Sequence, residues 1–303
     1  MHIGNSIICP VTGIPMLVVA GVTAFYAYKK ARKNFSKDKI LQTVTLTAMV
    51  FAMQMINFAI PQTGSSGHII GGVLLAALLS PSVAFLAMCS ILLVQAVFFA
   101  DGGLLALGCN IFNMGILACF VAYPLFYKPF ADRNKPFLGA VTASVIALQV
   151  GSLAVVAESA LSGSVALSGV GAFAALMQAI HLPIGVAEGF VTGGIILASK
   201  FIDSKKLSCC FAGLAVVLGG LISQFASTKP DGLEWSLLNV SDFVVNQTQS
   251  AVYAVSEFVQ QKTAILTLIN GSVAAIAGIA LVACMMFLVC NNLKAETIKI
   301  NEK

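Results

Sequence analysis

The chain has 303 residues, of which 58% are hydrophobic and 10% charged. Soluble domains carry about a quarter of their residues as charges. A mean hydropathy of +0.95, with apolar runs long enough to cross a bilayer, therefore excludes that class. The net charge of +5 does not describe a nucleic-acid binder either, because all the basic residues except Lys229 and Lys262 sit in four short zones between apolar runs: 29–39, 128–135, 200–206 and 294–303.

The chain opens MHIGNS. No basic stretch or small-residue cleavage site marks a signal peptide, and a bulky second residue predicts that Met1 is retained. Apolar segments follow at about 13–28, 40–60, 69–80, 82–100, 104–127, 137–158, 169–201, 207–225 and 263–290. They predict an all-α fold, a polytopic membrane helix bundle of about seven spans followed by two more. If each segment crosses once, the N-terminus lies outside and the C-terminus inside, and all four basic zones fall on the cytoplasmic side. Pro81 ends the short third segment. The long seventh segment is expected to break at His181-Leu182-Pro183, because the residue before a proline avoids the helical region. Residues 226–262 are more polar, with Asp231, Glu234, Trp235, Asp242 and Glu257, and read as an extracytoplasmic loop. The chain thus divides near residue 206 into a body, 1–206, and a two-span appendix, 207–303.

This topology places the N-terminus, the loop PQTGSSGH at 61–68 and the turn DGG at 101–103 on one side. A free amine followed by His2 is a chelate in waiting. The amine nitrogen, the deprotonated His2 amide and the imidazole Nδ1 close a five-membered and a six-membered ring on one metal. A second imidazole, from His68, would complete a square plane of four nitrogens, which suits Ni(II) or Cu(II), in competition with protons. Each feature also has a plain structural reading. His68 could be a polar helix start, and Asp101 an N-cap. Gln54 with Asn57, and Asn110 with Asn113, are spaced i, i+3 and could be helix glue or support for a site. The Gly/Ser run at 64–67 suits irregular backbone lining a cavity. Glu188 is an intramembrane acid and a functional candidate by default; it could share a face with His181 only on a helix unbroken at Pro183. None of the eight cysteines forms a CxxC pair, so a zinc or redox motif is unsupported. The chain has no GxxxxGK[ST] loop and no HExxH.

MHI at the start, QMINFAIPQTGSSGHIIGG at 54–72, FADGGLLALGCNIFNMGI at 99–116 and HLPIGVAEGFVTGG at 181–194 resemble the substrate-binding subunits of energy-coupling-factor transporters for cobalt and nickel. The resemblance covers about 1–206. PDGLEW at 230–235 resembles the small companion subunit of the same systems, here fused at the C-terminus. The resemblance implies a non-enzymatic transport subunit without a cofactor, whose cargo is Ni(II) or Co(II). Its ligands would be Met1, His2 and His68, with Asn57 and Asp101 in support. It also implies three partners in the membrane system: a membrane coupling protein and two cytoplasmic ATPases. The family's opening usually carries an acidic residue and a glycine at positions 5 and 6, where this chain has Asn5 and Ser6. Two other functions compete. A self-contained carrier for an organic solute would hold its pocket at the midplane between repeats, and no repeat is evident. An intramembrane enzyme built on His181 and Glu188 lacks a nucleophile–base pair.

Overall fold

A computed structural model describes residues 1–33, 35–240 and 250–301. Asp242, named above, and Lys303, the end of the fourth basic zone, lie outside the described residues. The fold is a helical bundle. After a short N-terminal segment come α1 (Pro10–Ala31) and α2 (Lys39–Gln54). A two-stranded antiparallel hairpin, β1 (Phe58–Ala59) and β2 (Ser66–Gly67), follows, with Phe58 opposite Gly67. Next are α3 (Gly72–Leu78), α4 (Pro81–Phe98), α5 (Leu107–Ala131), α6 (Pro136–Leu161) and α7 (Val170–Ser199). The last part comprises α8 (Ser204–Gly220), α9 (Gly232–Leu238), α10 (Ala251–Thr263) and α11 (Gly271–Asn301).

Local chemistry explains several boundaries. Pro10, Pro81 and Pro136 occupy the first turns of α1, α4 and α6, where a missing N–H costs nothing. Ser80 Oγ, Asp203 Oδ1 and Asp231 Oδ1 accept hydrogen bonds from the first-turn amides of α4, α8 and α9.

Among the described residues, six helices have the length and apolar composition to cross a membrane: α1, α4, α5, α6, α7 and α11 up to Ile300. α2 and α8, with 16 and 17 residues, are shorter. The expected third span is not a spanning helix. α3 has 7 residues, about 10 Å at 1.5 Å per residue, and residues 68–71 before it are irregular. The segment still traverses the bundle. It begins beside the N-terminus and ends at Ser80 and Pro81, in a cavity shared with Lys30, Phe35 and Lys39. Irregular backbone is tolerated at such depth where protein surrounds it.

The expected break at Pro183 does not occur: α7 runs through it, and His181 and Glu188 are buried on one face. Packing overrides the local preference. Along that face Gly185, Gly189 and Gly193 abut Val145, Val141 and Phe137 of α6; a Cβ on Gly189 would come 2.5 Å from Val141 Cα. Small residues every fourth position permit this close approach in membrane helices, and it fixes α7 on both sides of the proline.

The C-terminal helices belong to the same core. Phe211, Ile279, Val282 and Met286 cluster with Met49, Phe51 and Met88. Arg32 pairs with Glu296 at 3.1 Å, so the end of α11 lies at the first basic zone. The stretch expected as a loop, 226–262, contains α9 and α10.

Candidate metal centre

The N-terminal segment is folded into the protein. Met1 and Ile3 are buried. Asn110 holds the Ile3 backbone with both ends of its amide: Oδ1 accepts from Ile3 N (2.8 Å) and Nδ2 donates to Ile3 O (3.1 Å). Gly103 N donates to the same carbonyl at 2.8 Å. The Met1 side chain packs at Gly151, where even a Cβ would meet it at 3.0 Å. Both neighbours of His2 are thus immobilised, which orders the residue between them before any ligand arrives.

Two carboxylates attend the nitrogens of this segment. The Met1 amine lies 3.2 Å from Asp231 Oδ2, and His2 Nδ1 lies 3.2 Å from Asp101 Oδ1. The His2 and His68 rings are nearly parallel, with centroids 4.9 Å apart and planes at 13°. The Nε2 atoms of both rings are buried without a hydrogen-bond partner. The Gln95 amide, whose Oε1 is also without one, acts electrostatically on the His2 ring. Burial, reinforced by the N-terminal charge, pushes both imidazoles down to about 3. They are therefore neutral, the form that ligates metals. Burial raises the Asp101 carboxyl, against the pull of His68 and the N-terminus. Burial also works against ionisation of Asp231, but the N-terminal ammonium and the Glu234 amide outweigh it and hold that carboxyl well below the usual range.

The loop carrying His68 is fixed from below. Glu188 accepts from Ile70 N (2.8 Å) and Gly71 N (3.1 Å). Gly71 has φ +76, a conformation that glycine alone adopts without strain. Gln54 Nε2 donates to Ile70 O at 2.7 Å and its Oε1 accepts from Gln95 at 3.0 Å. From above, the 227–231 segment lies along the hairpin. Ser66 N donates to Pro230 O, Ser66 Oγ to Lys229 O (both 2.8 Å), and Ser227 N to Asn57 O (2.7 Å). A cavity of about 780 Å³ opens here, lined by His2, Gln54, Asn57, His68, Asp101 and Asp231 among others.

His2, His68, Asn57 and Asp101 thus line one cavity, and the Met1 amine is joined to it through Asp231. Asn110 supports them through Ile3. Asn113 does not: its Nδ2 donates to Glu158 Oε2 at 2.7 Å, outside the cavity. The i, i+3 rule failed because the chain becomes π-helical at Phe112, which rotates the following residues off the α-helical face. His181 lies under Gly232, its ring 3.0 Å from where a Cβ would stand, and its Nδ1 bonds Met177 O at 2.7 Å. Sequence reasoning missed Asp231 and Gln95 as neighbours of Met1 and His2, and Glu188 as the clamp of the His68 loop. No group of three or more His, Cys, Asp or Glu side chains among the described residues is arranged to hold a metal ion.

Residues 2–206 match the family profile described as the cobalt uptake substrate-specific transmembrane region. The chain belongs to this family. Residues 205–295 match a second profile, the PDGLE domain. Cobalt transport protein CbiM of Chlorobium limicola is 30% identical over 206 residues, which are 63% of this chain and 78% of that protein. A protein of Archaeoglobus fulgidus, provisionally named fused nickel transport protein NikMN, is 34% identical over 151 residues, half of each chain. A crystal structure described as a truncated transition metal transporter superposes with a TM-score of 0.59 at 29% identity, covering 65% of this chain and 97% of that one. The chain is therefore a multi-pass membrane protein of a cobalt and nickel transport family.

Proposed function

We propose that this chain is the substrate-binding membrane subunit of an ATP-driven importer for Ni(II) or Co(II), and that it takes the ion through its own N-terminus. The Met1 amine, the His2 amide nitrogen and the His2 imidazole form the chelate, and His68 supplies the fourth nitrogen. The observation that carries this reading is the joint placement of these groups. His2 and His68 line one cavity as stacked, neutral rings, the Met1 amine is paired at 3.2 Å with Asp231 of the same lining, and the buried Nε2 of His68 is unpartnered. Four nitrogens in a plane suit Ni(II). Asp231 and Asp101 hold the amine and His2 Nδ1 in the metal-free state; loading replaces the ammonium proton and the amide proton by the ion.

The chain divides into a metal-binding body, 1–206, and a companion unit, 207–303, that covers the site. Positive residues favour the cytoplasm, so the site faces outward and the C-terminus inward. ATP hydrolysis falls to two separate ATPases joined through a membrane coupling protein, since no phosphate-binding loop occurs here. Adding one residue before Met1 moves the amine out of the chelate while leaving every side chain in place. Nickel titration of the purified extended chain is expected to show binding lost; undiminished binding would overturn the assignment.

A further inference from the structure

α10, in the C-terminal unit, buries one residue of its 13, and that residue is Gln260. A buried amide is costly unless its donors and acceptor are all used. Here they are. Nε2 donates to Ala96 O (2.9 Å) at the end of α4 and to Gly102 O (2.7 Å), while Oε1 accepts from Asn5 Nδ2 (2.7 Å). Asn5 is tied in turn. Its Oδ1 accepts from Leu105 N at 2.8 Å, and its Nδ2 also donates to Glu257 Oε1 at 2.7 Å. One side chain therefore joins the loop that carries His2 to the turn that carries Asp101, and the two residues so joined, His2 and Asp101, are themselves in contact at 3.2 Å.

We infer that Gln260 is a positioning residue of the metal site: by pinning Asn5 and Gly102 to one amide, it sets His2 against Asp101 and makes the C-terminal unit part of the site's framework. The inference rests on the assignment of His2 as a ligand. It also separates two tasks of the C-terminal unit. Asp231 touches a metal-binding nitrogen, whereas Gln260 touches none and acts through the loops. With no polar atom of the amide idle, neither loop can move without breaking a hydrogen bond of a buried group. Groups that hold ligands at second hand typically change metal affinity by about 10–100-fold.

The test uses the purified full-length chain with its native N-terminus, nickel alone as probe, and two readouts: affinity by calorimetry and the ligand-field absorption of bound nickel. Gln260→Met keeps length and volume and removes all three hydrogen bonds. It is expected to weaken nickel binding about tenfold or more and to shift the ligand-field band of the bound ion. A variant that is merely less stable leaves that band unchanged in its folded fraction. Asn5→Ala is expected to act on the same contact, so Asn5→Ala with Gln260→Met loses less than the sum of the two. Gln261→Met, on the exposed side of α10, is expected to match the wild type. Wild-type affinity and band in Gln260→Met, with binding abolished in His2→Ala, would overturn the positioning role alone. Wild-type binding in His2→Ala would overturn the ligand assignment beneath it, and this inference with it.

Discussion

The Met1 amine and Asp231 form an ion pair at 3.2 Å across 230 residues of sequence. In the metal-free protein the carboxylate faces an ammonium with a single positive charge. A divalent ion held by the amine, a deprotonated amide and two neutral imidazoles also carries a single net positive charge. Asp231 thus meets the same charge before and after loading. Asp231→Asn keeps an oxygen to cap Glu234 N. It is expected to lower the stability of metal-free and nickel-loaded protein alike, by about 1–3 kcal/mol. Equal losses cancel in the binding equilibrium, so Kd should stay within about threefold, which is under 1 kcal/mol. Thermal melts with and without nickel, together with calorimetry, check both halves; a tenfold loss of affinity would make Asp231 a ligand.

The bundle was legible in the sequence where lipid imposes a simple demand. A span must be a long apolar helix; α4 (81–98) and α6 (136–161) coincide closely with the expected runs 82–100 and 137–158, and α11 (271–301) overlaps 263–290 but continues past it. Where the demand is packing, the same reading misleads. Residues 69–80 are apolar, but apolarity does not separate a helix from buried irregular chain; Gly71 with Gly72 was the local signal that the helix starts late. Pro183 has an unfavourable local preference that glycine-mediated contact with α6 overrides. At the proposed site, MHI and SGH stand out in the sequence because a chelate of amine, amide and imidazole is a local pattern. Asp231 and Gln260 could not. The groups they hold at the site lie between 158 and 255 residues away, and nothing near either residue in the chain announces an amine or a loop to hold.

His68 supplies one of the four proposed nitrogens, and its loop is built around it. Removing groups that merely support a ligand costs about 10–100-fold, so removing the ligand itself should cost at least as much. His68→Ala is expected to weaken nickel binding by that margin while leaving the amine–His2 chelate able to bind weakly. Calorimetric titration at constant pH reads the difference. An unchanged Kd would take His68 out of the ligand set.

Glu188 accepts two backbone amides, Ile70 N and Gly71 N, at 2.8 and 3.1 Å. Its substitution leaves two buried donors without a partner. Glu188→Ala is expected to cost about 2–5 kcal/mol of stability, on the scale of 1–3 kcal/mol per unsatisfied group, and to weaken nickel binding by loosening the His68 loop. Glu188→Gln retains one acceptor and should lose about half as much. Chemical denaturation in detergent gives the first quantity and nickel titration the second. Equal behaviour of the two variants would show that the carboxylate's charge, not its two acceptors, holds the loop.

The imidazoles of His2 and His68 titrate at about 3 in the folded protein, against about 6.5 in an unfolded chain. Two consequences follow, of different kinds. Between about pH 4 and 6.5 the unfolded chain binds more protons at these groups, so they make metal-free stability rise with pH across that window and level off above it. Asp101 works the other way, because its carboxyl is raised by burial: its contribution is present at low pH and is lost as pH rises through its folded value. Melts in an Asp101→Asn background remove that opposing contribution, and adding His68→Gln there is expected to flatten the slope, the difference between the two being the share of His68. Nickel affinity obeys a different rule. At pH 5 to 7.5 both imidazoles are already neutral, so binding releases no proton from them. The rise of affinity with pH then belongs to the amine and the His2 amide. His68→Ala should lower affinity at every pH in that range without altering the slope of log Kd against pH. A slope that falls by one proton in this variant would mean that His68 is protonated before it binds.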